Sequence, residues 1–296
     1  MRQIYVIGSM SMDLVVSSQV VPEQGETVLG EDFFTTPGGK GANQAVAAAR
    51  LGEQVHMIGC VGEDTFGEQI QQNFKDNGVQ IDGIEVIEGE SSGTAHITLS
   101  QQDNRIIVVP SANGYVTPER IQPYLARMEA GDIVLIQQEI PAETVAHVID
   151  YCAQHDIVSI LNPAPYPYRE VPAKVIEQAH YITPNETESA HLFKGEAIEE
   201  VTAQYPNKLI VTLGSEGAMY HNGEQIVKVP SFKRTVKDTT GAGDTFNGAL
   251  AVGLQKDYSL TKAIEFANLA ASYSVTGMGA QGGMPYFADL ERESGV

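Results

Sequence analysis

A short segment in the last quarter of the chain combines groups that bind an anion with a group that accepts a proton. Residues 238–246 read Asp-Thr-Thr-Gly-Ala-Gly-Asp-Thr-Phe, and apolar residues then recur at helical spacing. This pattern predicts a helix start, where the N–H groups of Gly241, Ala242 and Gly243 would attract a phosphate. Asp244 would repel that phosphate, but it would suit a general base that activates an attacking hydroxyl in phosphoryl transfer. A helix cap is the alternative role for this carboxylate.

A second glycine-rich segment, residues 37–43, reads Pro-Gly-Gly-Lys-Gly-Ala-Asn and precedes an alanine-rich predicted helix that ends at Gly52. It is not a Walker A loop, because Gly41 stands where that motif needs a serine or threonine hydroxyl. A polyol that approaches the backbone closely, with Lys40 and Asn43 as hydrogen-bonding arms, fits the segment better. A glycine-rich turn before a helix, without any ligand, is the alternative.

The first predicted strand, residues 3–8, is a short apolar run that glycine closes. Ligands of open α/β sheets bind beyond the carboxyl ends of the strands. Ser11, Met12 and Asp13 are therefore candidate substrate contacts on the loop that follows. An Asx-turn, in which Asp13 bonds only to nearby backbone, is the alternative.

Strand and helix patterns alternate along the chain and predict an α/β fold with a mainly parallel sheet. Polar or small residues follow each predicted strand, and together they describe the rim of an active site. The further strands are residues 54–60, 133–138, 157–161, 180–182 and 209–212, and the rim includes Glu139, Asn185, Glu188, Leu213, Gly214, Ser215, Glu216 and Gly217.

Two segments interrupt this alternation and predict a small inserted sheet. Residues 94–100 and 105–109 read as a hairpin around a turn at 101–104, and residues 26–36 alternate like a strand. Combined with residues 13–36, the hairpin would cover the strand ends as a lid. A lid that excludes water favours transfer to a bound hydroxyl over hydrolysis.

The composition is that of a globular enzyme, with 42% hydrophobic residues in 296 positions. A formal net charge of −20 argues against binding to nucleic acid or to an anionic membrane. Cys60 and Cys152 lack metal-ligand spacing and are predicted to be buried thiols. The apolar runs are too short for a signal peptide or a membrane span, so we expect a cytoplasmic enzyme.

Residues 277–282 match the Gly-x-Gly-x-x-Gly pattern of dinucleotide-binding folds. They follow a predicted helix, at about 261–275, rather than a strand, so NAD binding is rejected. The glycines instead predict a loop of exposed carbonyls that suits a nucleotide edge or a monovalent cation.

The two glycine-rich segments, as residues 38–44 and 238–248, and the order of the elements resemble the ribokinase family of sugar kinases. The resemblance implies a three-layer α/β/α body with a mainly parallel central sheet and a small β-sheet lid. It also implies ATP-dependent phosphorylation of D-ribose at O5 with Mg²⁺ and K⁺, in a homodimer that joins through the lids. The body would comprise residues 1–12, 38–90 and 111–296, and the lid would comprise residues 13–37 and 91–110.

The resemblance also implies roles for single residues. Asp244 would be the base, and Gly241, Ala242 and Gly243 would stabilise the transferring phosphoryl group. Candidate sugar contacts are Ser11, Met12, Asp13, Gly39, Lys40, Gly41, Asn43, Glu139 and Asp244. The ATP site would include Asn185, Glu188, Thr212, Leu213, Gly214, Ser215, Glu216, Gly217, Gly243 and Asn268, with Asn185 and Glu188 organising Mg²⁺ and phosphate through water. K⁺ would lie near Asp238, Thr240, Ser274, Gly277, Gly279 and Gly283.

Ser11 departs from the family pattern, in which asparagine is usual two residues before the sugar-binding aspartate. The shorter side chain would lose a hydrogen bond of about 0.5–1.5 kcal/mol or replace it through water. The acceptor therefore stays open between ribose and the substrate of a related sugar or nucleoside kinase. A non-catalytic sugar or nucleotide sensor is the alternative from another class, although a sensor needs no carboxylate beside a phosphate site.

Overall fold

The computed structural model describes residues 2–101, 103–165 and 170–294. Its strands are β1 (Ile4–Ile7), β2 (Ser11–Ser17), β3 (Asp32–Gly38), β4 (Val55–Gly62), β5 (Gln80–Ile87), β6 (Gly93–Ser100), β7 (Asp103–Val109), β8 (Ile133–Ile136), β9 (Val158–Leu161), β10 (Tyr181–Ile182), β11 (Ile210–Thr212), β12 (Ala218–His221) and β13 (Ile226–Val229). Its α-helices are α1 (Lys40–Arg50), α2 (Thr65–Asp76), α3 (Pro118–Leu125), α4 (Ala142–Gln154), α5 (Ala173–Gln178), α6 (Glu186–Leu192), α7 (Ile198–Gln204), α8 (Ala242–Gln255), α9 (Leu260–Ser274) and α10 (Phe287–Ser294). Short 3₁₀ segments span Ser111–Tyr115 and Gly214–Glu216.

The central sheet has the order β10-β9-β8-β1-β4-β5, and all its neighbouring strands are parallel. Successive residues of a strand point to opposite faces, and both faces of this sheet are apolar. Ile133 and Leu135 of β8 belong to a buried cluster with residues of α1, α8 and α9. Val134 and Ile136 belong to a second cluster with residues of α3 and α4. The predicted three-layer α/β/α fold is confirmed.

The small sheet has the order β3-β2-β6-β7, with β2 parallel to β6 and the two outer pairs antiparallel. The predicted hairpin is present as β6 and β7, although β7 begins at Asp103 instead of residue 105. Gln102, in the predicted turn, lies outside the described residues. The expectation that Asp13 lies on a loop is wrong, because it pairs with Thr36 on one side and Ala95 on the other.

Three other strand predictions need correction. Strand β3 begins at Asp32, so residues 26–31 of the predicted strand lie outside the sheet, and Leu29 is largely exposed. Strand β8 ends at Ile136, two residues earlier than predicted. Strand β5 has no counterpart in the sequence prediction, because polar residues interrupt its apolar positions. In contrast to these strands, β12 and β13 form a hairpin around Asn222-Gly223, a dipeptide that is typical of hairpin turns.

None of the helices in the described ranges has both the length and the apolar character that crossing a membrane requires. Cys60 and Cys152 are both free and buried, as their spacing indicated.

Candidate active site

Helix α8 begins directly after Gly241, at the centre of the candidate site. Gly241 has a left-handed backbone with a φ of 79°, and a β-carbon there would collide with the main chain of Ala280. The N–H of Ala242 donates to Thr239 O at 3.2 Å. The N–H groups of Gly241 and Gly243 have no acceptor in the part of the chain that the structure describes. Two of the three predicted anion-binding amides are thus available.

Asp244 lies in the first turn of α8 and is only 8% exposed. Its carboxylate accepts hydrogen bonds from Asn43 Nδ2 at 3.0 Å and Gln44 Nε2 at 3.1 Å. Among the described residues, no side chain caps this helix by a hydrogen bond, so Asp244 does not act as a hydrogen-bonding cap. Burial raises the pKa of Asp244, against the opposing effects of the Lys40 charge and the two amide donors. A buried carboxylate with a raised pKa suits a general base.

Glu139 joins the start of α1 to the end of β8. Ser9 Oγ donates to Glu139 Oε2 at 2.5 Å, and the N–H of Lys40 donates to the same oxygen at 3.0 Å. The N–H of Gly41 donates to Ser9 Oγ at 3.3 Å. These bonds hold the first turn of α1 next to Glu139.

Lys40 carries its positive charge among several carboxylates. Burial alone would lower the pKa of Lys40, but the charges of Asp244, Glu139 and Glu188 outweigh burial and raise it. Lys40 therefore remains protonated and provides a cation on the wall of the site.

Asp13 of β2 faces the same group of charges. Burial raises the pKa of Asp13 to about 7, and Glu139 and Asp244 add to this effect, while a hydrogen bond from Ser11 opposes it. A β-carbon at Gly38 would collide with the Asp13 carboxylate, so the carboxylate can occupy its position only because residue 38 is glycine. Strand β2 thus brings Asp13 close enough to Glu139 and Asp244 for their charges to act on it. The Met12 side chain, in contrast, is fully buried in the hydrophobic core.

A cleft of about 200 Å³ opens in front of α8. Its lining combines free amides, one lysine and two carboxylates, which is a polar composition suited to an anionic ligand next to a hydroxyl group. The lining residues are Lys40, Asn162, Ala164, Thr183, Asn185, Glu188, Thr212, Gly241, Gly243, Asp244 and Asn247.

Asn185 and Glu188 line this cleft and also start α6. The Asn185 side chain accepts from the N–H of Glu188 at 2.8 Å, and Glu188 Oε2 accepts from the N–H of Asn185 at 2.9 Å. This is a reciprocal capping box, so the pair has a structural role at the start of α6, and its predicted role toward Mg²⁺ and phosphate stays a prediction. Burial raises the pKa of Glu188. The hydrogen bond from Asn185 and the charge of Lys40 oppose this increase.

The remaining predicted nucleotide residues do not all line the cleft. Thr212 lines the cleft, and Gly214, Ser215 and Glu216 form an exposed turn just beyond it. Asn268 is buried elsewhere, where its Nδ2 donates to Val229 O at 2.9 Å and Pro230 O at 3.3 Å. Asn268 thus bonds the end of β13 and is not among the residues that line this cleft, and its place in the ATP site stays a prediction.

The candidate cation residues come together through Asp238. Its carboxylate accepts from the N–H of Thr240 at 2.9 Å and from the N–H of Gly279 at 2.8 Å. Burial would raise the pKa of Asp238, but these hydrogen bonds outweigh burial and lower it. Gly277 and Gly283 pack so closely that a β-carbon on either would collide with the other segment. An ionised carboxylate beside glycine-rich main chain is an oxygen donor set that fits a hard monovalent cation.

Sequence reasoning missed several residues that organise the site. Gln44 bonds Asp244, and its Nε2 also donates to Asn162 Oδ1 at 3.2 Å. Thr183 Oγ1 donates to Asn247 Oδ1 at 2.6 Å, and Asn247 Nδ2 donates to Gly243 O at 2.8 Å. Gln44 directly follows the glycine-rich segment and Asn162 directly follows a strand, so position alone could have suggested both.

Residues 1–286 match the family described as pfkB family carbohydrate kinase. The chain belongs to this family. The resemblance to sugar kinases that the two glycine-rich segments indicated is confirmed.

Several known proteins are similar to this pfkB-family chain over almost its whole length. A ribokinase from Bacillus subtilis (strain 168) is 53% identical over 98% of this chain and 99% of the relative. A ribokinase from Lactococcus lactis subsp. lactis is 47% identical over 98% of this chain and 96% of the relative. A deoxyribokinase from Salmonella typhi is 34% identical over 95% of both chains.

A solved structure shares the fold of this kinase. The structure of Arabidopsis thaliana ribokinase complexed with ribose and ATP has a TM-score of 0.89 and 29% identity, and the alignment covers 98% of both chains.

Proposed function

We propose that the protein catalyses ATP-dependent phosphorylation of D-ribose at O5, which gives D-ribose 5-phosphate and ADP. One observation carries the proposal. The buried carboxylate of Asp244 lines the same cleft as the free N–H groups of Gly241 and Gly243 and the charged Lys40. The identity of 53% to a ribokinase supports ribose as the acceptor.

In the proposed reaction, O5 of ribose attacks the γ-phosphorus of ATP in line with the bond to ADP. Asp244 accepts the O5 proton as the new P–O bond forms and the bond to the ADP oxygen breaks. The N–H groups of Gly241 and Gly243 stabilise the transferring group, while the N–H of Ala242 supports the turn through Thr239. Asp13, Lys40, Asn43 and Glu139 hold the sugar hydroxyls, with the backbone of Gly39 and Gly41 close to the ring.

The nucleotide would occupy the other end of the cleft, beyond Thr212 and along residues 213–217. When bound, Mg²⁺ neutralises the phosphate charges. Mg²⁺ would lie near Asn185 and Glu188 and bind phosphate and water, since this ion keeps several of its waters and is usually bound together with substrate phosphates. Asp238 and main-chain oxygens of the 277–283 segment would hold K⁺.

The small sheet is proposed as a lid that covers the sugar end of the site, with residues 13–37 and 91–110 as its extent. Its exposed apolar side chains support a homodimer in which two lids meet. The use of ATP, together with two free buried thiols, supports a cytoplasmic location.

A coupled assay of ADP release tests this function. The purified protein is given ATP and, in turn, ribose, 2-deoxyribose, fructose and nucleosides as acceptors. We expect the highest kcat/KM with ribose, and mass spectrometry should find the phosphate on O5. A preference for 2-deoxyribose or a nucleoside would identify a related kinase. Binding of ribose and ATP without turnover of any acceptor would instead identify a sensor.

A further inference from the structure

Hydrogen bonds behind the cleft control how Asn43 presents its amide to Asp244. Asn43 Nδ2 donates to Asp244 Oδ2 at 3.0 Å, and Asn43 Oδ1 accepts from Gln281 Nε2 at 3.0 Å. Gln281 Oε1 accepts in turn from Asn73 Nδ2 at 3.0 Å. Each carboxamide in this series therefore uses its oxygen on one side and its nitrogen on the other.

We propose that Gln281 is a positioning residue for Asp244 that acts through Asn43. This inference rests on the proposed kinase reaction, in which Asp244 is the base. If the Asn43 amide turned over, its oxygen would face the Asp244 carboxylate and its NH₂ group would face the NH₂ group of Gln281. Both contacts would then be repulsive, because an amide oxygen only accepts and an amide nitrogen only donates.

Burial strengthens this control. Asn43, Gln281 and Asp244 are 6%, 7% and 8% exposed. Water has little access to replace a lost partner, and an unpaired polar group in such surroundings is costly. The donor that Asn43 offers to Asp244 therefore depends on the side chain of Gln281.

The main chain of Gln281 is held separately from its side chain. Arg50 Nη1 donates to Gln281 O at 2.6 Å and to Met284 O at 3.2 Å. Arg50 Nε donates to Asn77 Oδ1 at 2.7 Å, and its guanidinium lies 5.3 Å from the centre of the Tyr286 ring. A substitution of the Gln281 side chain should therefore leave this loop attached to α1 and α2.

Two substitutions of Gln281 separate the effect of side-chain shape from the effect of hydrogen bonding. Gln281→Met keeps the length of the side chain but removes its donor. Gln281→Glu keeps the shape and replaces the donor with an acceptor, which draws the Asn43 amide nitrogen away from Asp244. Gln72→Met is the matched control, because Gln72 is an exposed residue of α2 whose side chain donates to Asp76, away from the site.

The measurement is the pH profile of kcat at saturating ATP and ribose. We expect kcat to fall by up to about 10²-fold, more in Gln281→Glu than in Gln281→Met. We also expect the acidic limb to move to higher pH, because loss of a donor to the carboxylate favours its protonated form. Gln72→Met should match the wild type in both respects.

An unchanged profile in the Gln281 variants, or a loss of kcat at all pH values without movement of the limb, would overturn the inference. If the wild type transfers phosphate to no acceptor, the proposed function fails independently of this result. A double-mutant cycle of Gln281→Met and Asn43→Ala in thermal unfolding then decides the inference. Non-additive effects would support the link between the two residues, and additive effects would refute it.

Discussion

At the scale of single residues, the function depends most on the proton that Asp244 is proposed to accept. We expect Asp244→Ala to lower kcat by about 10²–10⁴-fold, the range for loss of a general base, while ribose binding is largely kept. Steady-state kinetics and calorimetric titration with ribose measure the two effects. Asp76→Ala, which removes an exposed carboxylate at the end of α2, is the control. Turnover near that of the wild type would show that Asp244 is not the base and that it contributes only a favourable charge at the helix start.

The raised pKa of Asp13 makes a prediction about pH. A carboxylate accepts hydrogen bonds from two sugar hydroxyls, whereas the protonated form has lost one acceptor site. Because the pKa of Asp13 is raised to about 7 in the free protein, the group becomes neutral as the pH falls through this value. We expect kcat/KM for ribose to decrease below about pH 7, since this parameter reports groups of the free enzyme. A profile that stays flat from pH 8 to about pH 5 would show that Asp13 does not control sugar binding.

Residue types and spacing were sufficient to predict that Asp244, Lys40 and Asn43 lie in one site, because each belongs to a glycine-rich segment that suits a ligand. They were not sufficient for Ser9 or Gln281. The partners of these two side chains, Glu139 and Asn43, are 130 and 238 residues away in the chain. Such contacts follow from tertiary packing, which leaves no local signal in a single sequence. Asn268 is a different case, since its predicted role in the ATP site came from resemblance alone and stays a prediction, while its side chain bonds the end of β13.

At the scale of elements, the start of α8 depends on a glycine that no other residue replaces without strain. Gly241→Ala would place a β-carbon against the main chain of Ala280 at a left-handed φ of 79°. We expect the first turn of α8 to shift, with a loss of kcat of about 10²-fold or more, since removal of one anion-hole donor costs 10²–10³ in other enzymes. Gly253→Ala, in the last turns of the same helix, is a control for general damage to α8, because its effect should fall on stability rather than on kcat. Equal loss of kcat in both variants would contradict this account.

The loop contacts next to α8 predict an effect of the monovalent cation. Asp238 joins the segment before α8 to Gly279, so an ion held there would support the turn at Gly241. After exhaustive dialysis, we expect higher kcat in K⁺ than in Na⁺ at equal ionic strength. Asp238→Asn should reduce the difference between the two salts. Equal rates in both salts would argue against the cation site.

Strand and helix periodicity predicted most of the central sheet, because its buried strands are short apolar runs between turn residues. It failed where strands carry polar residues. Asp13 interrupts the apolar pattern of β2. The polar residues of β5, which has one exposed face, prevent its recognition as a strand from the sequence. A strand that contributes to an active site must contain residues that its periodicity does not predict. Asp13 was placed on a loop for this reason: its polar side chain breaks the apolar pattern of β2, and the same side chain is proposed to hold the sugar.

At the scale of the whole molecule, the α/β body and the small sheet differ in how they are stabilised. The body has two buried apolar clusters, one on each face of the central sheet. Within the described part of the chain, β7 of the small sheet has no such cover, and its residues are all exposed. Sequence patterns could predict that these strands form a hairpin, but they could not predict which of its apolar side chains remain uncovered. That depends on how the sheet is placed against the body.

The uncovered face of the small sheet predicts the oligomeric state. Ile106, Ile107, Val108 and Val109 of β7 are 49%, 70%, 45% and 42% exposed, and Phe33 of β3 is 63% exposed. Apolar surface of this extent on an edge strand favours association with a second copy. We expect light scattering to give twice the mass of one chain.

Two matched substitutions test whether the small sheet forms that interface. Ile107→Asp should shift the protein toward the monomer and raise KM for ribose, because a lid without its partner covers the sugar less completely. Val86→Asp is the control, since it adds the same charge at an exposed position of β5, outside the small sheet. A monomeric wild type, or a dimer that persists in Ile107→Asp, would show that the lids do not form the interface.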